Sequence, residues 1–272
     1  MEKLTEVYRG SRKHILDLLD SGRLFTVLNE LFADTDIQFG DNEYCQPKGR
    51  KAPEEWTLRN FCKKYYSGKF DYQTFDNWWV SDKYRNPQWD LLTTCTIKGK
   101  PGILLVEAKA NDKELVTDGK PLDDKSSKQS EINHDKISDC IFEAAQWLNN
   151  HIGDIGISRD THYQLSNRVA SAWKLAQCGL STVLLYLGFT GDEGIRDAGE
   201  PFADDNHWQR VMGAYMAGML PLHLPDKLIE VEDRATIQMF IKSLPVIEIS
   251  SKANNVREVK QSTPTSAGPE LL

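Results

Sequence analysis

Three observations predict an α/β fold, a mixed β-sheet flanked by helices. Leu91-Leu92-Thr93-Thr94-Cys95-Thr96-Ile97 is a β-prone run that leads through a Gly- and Pro-containing turn into Ile103-Leu104-Leu105-Val106-Glu107-Ala108-Lys109-Ala110. That second run is apolar on both faces until its charges arrive, which marks a hairpin whose second strand is buried. Ser181-Thr182-Val183-Leu184-Leu185-Tyr186-Leu187 is another continuous apolar run, and helical periodicity occupies the sequence on either side of these strands.

Residues 4–33 read as two helices. Leu4, Val7, Ile15, Leu18 and Leu19 recur near helical spacing, Gly22 breaks the run, and Leu24, Val27, Leu28, Leu31 and Phe32 resume it. Residues 38–52 are polar and turn-rich. Pro53 is expected to open a short helix, at the first-turn position where its missing N–H costs little. The hairpin follows, and the charged, Ser-rich residues 111–130 form a loop or excursion. A helix is expected over 129–150, with Ile132, Ile137, Ile141, Ala144, Ala145 and Leu148 as its buried stripe, and another over 163–178, stopped by Gly179. After the strand at 181–187, the glycines of 188–199 indicate a loop. The remaining expectations are a helix near 206–218, a helix near 231–243 and a strand at 246–249. No linker divides the chain. Residues 1–250 therefore read as one domain, and the Ser-, Thr- and Pro-containing residues 251–272 as a disordered tail.

Composition excludes several function classes. With 40% hydrophobic and 27% charged residues, 272 residues can bury a large core, which argues against wholesale disorder. The formal charge of −7 means that nucleic acid would be met by a local patch, not by a general basic coat. Five scattered cysteines without a CxxC pair argue against a disulfide framework or a zinc knuckle and fit a reducing, cytoplasmic setting. No apolar run reaches the ~20 residues of a membrane span, and the charged opening lacks the apolar stretch of a signal peptide. No P-loop, GxSxG, Cys–His or histidine metal spacing is present.

The chemistry concentrates in Pro87-Gln88-Trp89-Asp90 and Val106-Glu107-Ala108-Lys109. Residues two apart on a strand share a face, so Glu107 and Lys109 emerge together at the end of a buried strand. Charges there need a partner or a ligand. Folding the hairpin brings Asp90 beside Glu107. Two carboxylates with the Ala108 carbonyl make a hard oxygen site suited to Mg²⁺ or Mn²⁺. Such an ion polarises a phosphodiester and acidifies water, and Lys109 is placed to orient that water or offset developing charge.

Asp90, the hairpin and Glu107-Ala108-Lys109 together resemble the PD-(D/E)xK nuclease superfamily, over about residues 20–190. The match departs from the pattern in one respect: Trp89 precedes Asp90, and the proline lies at position 87. The resemblance implies a restriction-endonuclease-like core and a Mg²⁺-dependent deoxyribonuclease with Asp90, Glu107 and Lys109 as its catalytic set. Its settings would be restriction, repair or phage defence. It further implies that polar residues of the helix after the motif strand, Gln164, Asn167 and Arg168, face the active site. An extra metal-binding Glu on a helix before the first strand is a feature of some members. Glu30 is the best-placed residue for it, with Asp112 and Glu114 as rivals.

Substrate contact is expected from residues 45–69, where Lys48, Arg50, Lys51, Arg59, Lys63, Lys64 and Lys69 face only Glu54 and Glu55. Seven basic residues against two acidic ones, a net +5, interleave with Trp56, Phe61, Tyr65 and Tyr66 and form a phosphate-attracting patch. Trp78, Trp79 and Trp89 can stack on exposed bases or pack in the core. The expected partner is DNA, with no membrane and with a homodimer left open. The contrasting reading is a nuclease-fold module that binds DNA or protein without catalysis.

Overall fold

A computed structural model describes residues 8–246, apart from residues 82, 84, 85, 123 and 124. The first residues of the N-terminal helical pattern, residues 247–249 of the expected last strand and the expected tail lie outside the described residues.

The chain begins with α1 (Gly10–Asp20) and α2 (Leu24–Leu31), separated at Gly22 as the periodicity indicates. Three two-residue strands follow: β1 (Ile37–Gln38), β2 (Cys45–Gln46) and β3 (Trp56–Thr57). Then come α3 (Leu58–Tyr65), α4 (Tyr72–Trp78), β4 (Gln88–Trp89), and the hairpin of β5 (Leu91–Ile97) and β6 (Lys100–Lys109). The second half holds α5 (Lys128–His151), α6 (Tyr163–Gln177), β7 (Ser181–Thr190), α7 (Asp205–Met216), β8 (Ile229–Val231) and β9 (Ala235–Pro245).

The main sheet has seven strands in the order β1-β5-β6-β7-β9-β8, with β2 also pairing β5. It is mixed: β6 runs antiparallel to β5 and parallel to β7, β7 runs parallel to β9, and β8 closes the edge antiparallel to β9. The central strands are covered on both faces, which explains why β6 and β7 are apolar without alternation. On one face Leu92, Ile103, Leu105, Leu184 and Met239 pack with residues of α3 to α7. On the other, Leu91, Leu104, Val106, Val183, Leu185 and Phe240 pack with α1 and α2. Among the described residues no helix is long and apolar enough to cross a membrane.

Two expected elements are corrected. Pro53 does not open a helix. The Gln46 side-chain amide donates to the Glu54 carbonyl at 2.8 Å, holding that segment irregular, and α3 starts only after Thr57, whose hydroxyl caps it by accepting from the Asn60 N–H. The helix expected near 231–243 is a strand. Ala235, Ile237 and Met239 are buried while Thr236 and Gln238 are not, a period of two that β7 and β8 select by pairing on either side. The helices expected at 129–150, 163–178 and 206–218 correspond to α5, α6 and α7 within two residues at each end.

Candidate active site

The hairpin register builds the site. Leu91 pairs with Val106, so one step further out Asp90 faces Glu107 at the point where β5 begins and β6 nears its end. Asp90 is tied there by its own carboxylate: Oδ2 accepts the Ala108 backbone N–H at 2.7 Å. On the other side of β6, Glu107 is aligned with Tyr186 and Lys109 with Gly188 of β7. Glycine is required at 188, because a Cβ would stand 2.4 Å from the Trp208 ring of α7, which packs directly on the strand.

Helix α6 completes the site. Lys109 Nζ donates to Glu107 Oε1 at 2.7 Å and to Gln164 Oε1 at 2.9 Å. Arg168 Nε donates to the other Glu107 oxygen at 2.6 Å, its Nη1 to Asn167 Oδ1 at 3.0 Å and its Nη2 to the Gln88 carbonyl at 2.7 Å. Arg168 also lies over the Trp89 ring, with Cζ 4.3 Å from the centroid. Glu107, Lys109, Gln164, Asn167 and Arg168 are therefore joined in one network, with Asp90 held beside it by the Ala108 N–H. The polar face of α6 is not a solvated stripe: Asn167 is 2% and Arg168 5% exposed, and Gln164 and Ser171 are half-buried.

The two carboxylates differ electrostatically. Burial raises the Asp90 carboxyl, and the Glu107 charge raises it further; Lys109 and the Ala108 N–H only partly oppose this, leaving it pushed up to about 8. Burial alone would raise Glu107 too, but Arg168 and Lys109 outweigh it and hold that carboxyl below its ordinary value. The two acids are thus shifted in opposite directions, Glu107 downward by its cationic partners and Asp90 upward by burial.

A third carboxylate escaped the sequence reading. The ribbon of β3 and β4 pairs Trp56 with Trp89, which sets Glu55 across from Asp90. Burial raises the Glu55 carboxyl, Arg12 opposes at 3.5 Å, and the Glu107 charge raises it again. Its sequence context, two acids amid lysines and arginines, gives no local sign of this, since the signal is the pairing of two two-residue strands more than 30 positions apart.

Other expected residues lie elsewhere. Glu30 is exposed on α2, which covers the sheet face opposite the one Glu107 and Lys109 project from. Glu114 is engaged near the start of α1, accepting from the Ala110 N–H at 2.8 Å and the Ser11 N–H at 3.5 Å, and Asp112 accepts from the Glu200 N–H. Arg59 is corrected as a phosphate contact. It is 8% exposed, pairs with Asp76 and donates to the Val80 carbonyl, because it sits on the inner side of α3. Arg50 pairs with Asp17 and Asp20, which offsets its charge, while Lys48, Lys51, Lys63 and Lys64 are exposed. The three tryptophans divide: Trp89 is buried beneath Arg168, Trp79 is 8% exposed and Trp78 is half-buried.

A cleft lined by Asn86, Pro87, Gln88, Lys120, Tyr163, Gln164, Asn167 and Arg168 opens above this network. Gln164 links its floor to Lys109. Among the described residues no three His, Cys, Asp or Glu side chains gather so as to hold a metal ion by themselves. Asp90 and Glu107 face each other across the hairpin with Glu55 near by, and it is mainly burial that raises the Asp90 carboxyl. That donor set suits a hard cation held by few protein ligands and retaining water.

Comparison of the chain with protein-family models, with curated proteins and with solved structures returned no match.

Proposed function

We propose that this protein is a metal-dependent nuclease that hydrolyses DNA phosphodiester bonds, with a restriction-endonuclease-like core. The observation that carries the reading is the gathering below a cleft of Glu107 and Lys109, at the end of β6 and hydrogen-bonded to Arg168 and Gln164 of α6, with Asp90 held beside them by the Ala108 N–H. An acid pair and a lysine at a covered strand end are costly to bury, and a phosphodiester-cleaving site gives them a use.

In this reading Asp90, Glu107 and the Ala108 carbonyl would hold Mg²⁺ or Mn²⁺. The bound ion would polarise the phosphodiester and acidify a water. Lys109 orients the attacking water and offsets charge on the phosphate as the bond breaks. Arg168 keeps Glu107 ionised. Gln164 fixes the Lys109 ammonium from the cleft side. The exposed lysines 48, 51, 63 and 64 attract the DNA backbone without reading sequence.

The test is incubation of the purified protein with linear, single-stranded and branched DNA in Mg²⁺ or Mn²⁺, beside Asp90→Asn. Cleavage that needs the metal and is lost in the variant is expected. One observation favours a second reading, a module that binds DNA or protein without catalysis. Both Glu107 oxygens are already taken by Lys109 and Arg168, so the network is satisfied without a metal. Binding without cleavage of any of these substrates would select it.

A further inference from the structure

The cations around the acids differ in how well the protein satisfies them. Lys109 and Arg168 are buried and held to Glu107 at 2.7 and 2.6 Å, and Arg168 is fixed further by Asn167 and the Gln88 carbonyl. Arg12 of α1 is held loosely. Its Nη1 stands 3.5 Å from Glu55 Oε1, and its Nη2 donates to the Pro53 carbonyl at 3.4 Å, both long for a charged donor. Its Nε is buried with no acceptor in the protein, although the side chain as a whole is 43% exposed. A guanidinium left with unmet donors calls for an explanation.

Its position gives one. Glu55 lies across the β3–β4 ribbon from Asp90, and the charges of Glu55, Asp90 and Glu107 act on one another. The Gln88 side-chain amide, on the wall of the cleft, donates to the Glu55 carbonyl at 3.5 Å. Helix α1 packs on the sheet face opposite α6, so Arg12 approaches these acids from the other side than Arg168. The segment before Glu55 is tied to α1 through Arg50, which meets Asp17 and Asp20 and has its charge offset there. The same docking brings Arg12 to the end of that segment.

We propose that Arg12 binds a backbone phosphate of the nucleic acid, next to the one presented to Asp90, Glu107 and Lys109. The proposal rests on the nuclease reading and adds a substrate contact to it. A phosphate near three acids is repelled unless a cation stands between them. Lys109 and Arg168 are committed to Glu107, whereas Arg12 has donors to spare, and a guanidinium presents two of them side by side to phosphate oxygens.

The test measures binding of a short single strand, and of duplex DNA of the same sequence, by fluorescence anisotropy in Ca²⁺ over a salt series. Arg12→Gln is expected to weaken binding about ten-fold and to reduce the slope of log affinity against log salt by about one phosphate contact. Arg12→Lys, which keeps the charge, should keep the slope. Glu55→Gln separates this from a structural role. If Arg12 served only to hold Glu55, that variant would weaken binding as Arg12→Gln does; a phosphate contact predicts tighter binding, because a neighbouring negative charge is gone. A neutral methylphosphonate moved along the strand should weaken the wild type at one position where it leaves Arg12→Gln unaffected. A wild-type slope in Arg12→Gln, or weakened binding in folded Glu55→Gln, would overturn the contact, and Glu55→Gln decides alone if Arg12→Gln does not fold. Cleavage in Mg²⁺ is scored separately. Cutting with an unchanged slope removes the contact and leaves the nuclease reading, and a reduced slope without cutting does the reverse.

Discussion

Arg168 Nε stands 2.6 Å from Glu107 Oε2, both side chains are almost wholly buried, and the same guanidinium reaches the Gln88 carbonyl just before Asp90. One side chain of α6 thereby neutralises the acid of β6 and ties down the strand that delivers the second acid. Removing it leaves Glu107 with Lys109 alone. Breaking a buried pair from one side costs about 3–5 kcal/mol. Arg168→Met should accordingly lower the melting temperature by on the order of 10 °C, and Glu107→Gln in the same chain should recover part of the loss. Thermal denaturation of the three proteins checks this. A melting temperature for Arg168→Met equal to that of the wild type would show that the pair contributes nothing.

Asp90 makes stability depend on pH in the opposite sense from most aspartates. Its folded value of about 8 lies above the ordinary 3.8, so the folded chain binds this proton more tightly than the unfolded one. The contribution is complete below about pH 4, shrinks as pH rises, and is lost once pH passes about 8. Asp90→Asn keeps an acceptor for the Ala108 N–H and cannot ionise. Its melting temperature should gain on the wild type from pH 4 to pH 8 and then hold a constant lead. No pH-dependent gain would mean that Asp90 is ionised in the fold.

The same proton reports on metal. An ion bound by Asp90 must displace it, so Mn²⁺ binding at pH 7 should release close to one proton, and affinity should rise with pH until about 8. Calorimetry in buffers of different ionisation enthalpy measures the release directly. Binding that is strong, proton-neutral and unchanged in Asp90→Asn would take the metal away from this carboxylate.

Lys109 should matter to the chemical step more than to DNA binding. Lys109→Met preserves much of the side-chain volume at a position only 5% exposed. Losing one electrostatic stabiliser of this kind costs on the order of 10²-fold in rate, whereas one phosphate contact among several is a small share of affinity. The variant should lose some thermal stability as well, since Glu107 and Gln164 both lose a donor. Single-turnover cleavage well below its melting temperature, beside a binding titration, separates these effects. An unchanged cleavage rate would remove Lys109 from the mechanism.

The lysines at the end of α3 give a salt-dependence test. Lys63 and Lys64 are exposed in its last turn, and Lys64 lies over the Trp56 ring of the ribbon that leads to Asp90. Lys63→Ala/Lys64→Ala should weaken DNA binding and reduce the slope of log affinity against log salt by up to about two phosphate contacts. A slope equal to that of the wild type would place the DNA on another surface.

Local pattern in the chain was enough to place the hairpin, its buried second strand, the Glu107–Lys109 emergence and the three helices α5, α6 and α7. These rest on local information, since turn residues, apolar periods and caps act within a few positions of one another. It also marked the polar residues of α6 by their spacing, yet spacing cannot tell a solvated face from a buried one. Docking of α6 against the end of β6 decided that, because a charge is satisfied only by what the fold places opposite it. The same holds for Glu55, which pairing of β3 with β4 carries to the site, and for Arg59, which α3 turns inward to Asp76. It holds for Glu30, which α2 carries to the other face of the sheet, and for β9, whose apolar residues fit a strand because β7 offers an edge to pair with. In each case the deciding partner lies more than about fifteen residues away in the chain or on another element, where no short-range pattern reaches.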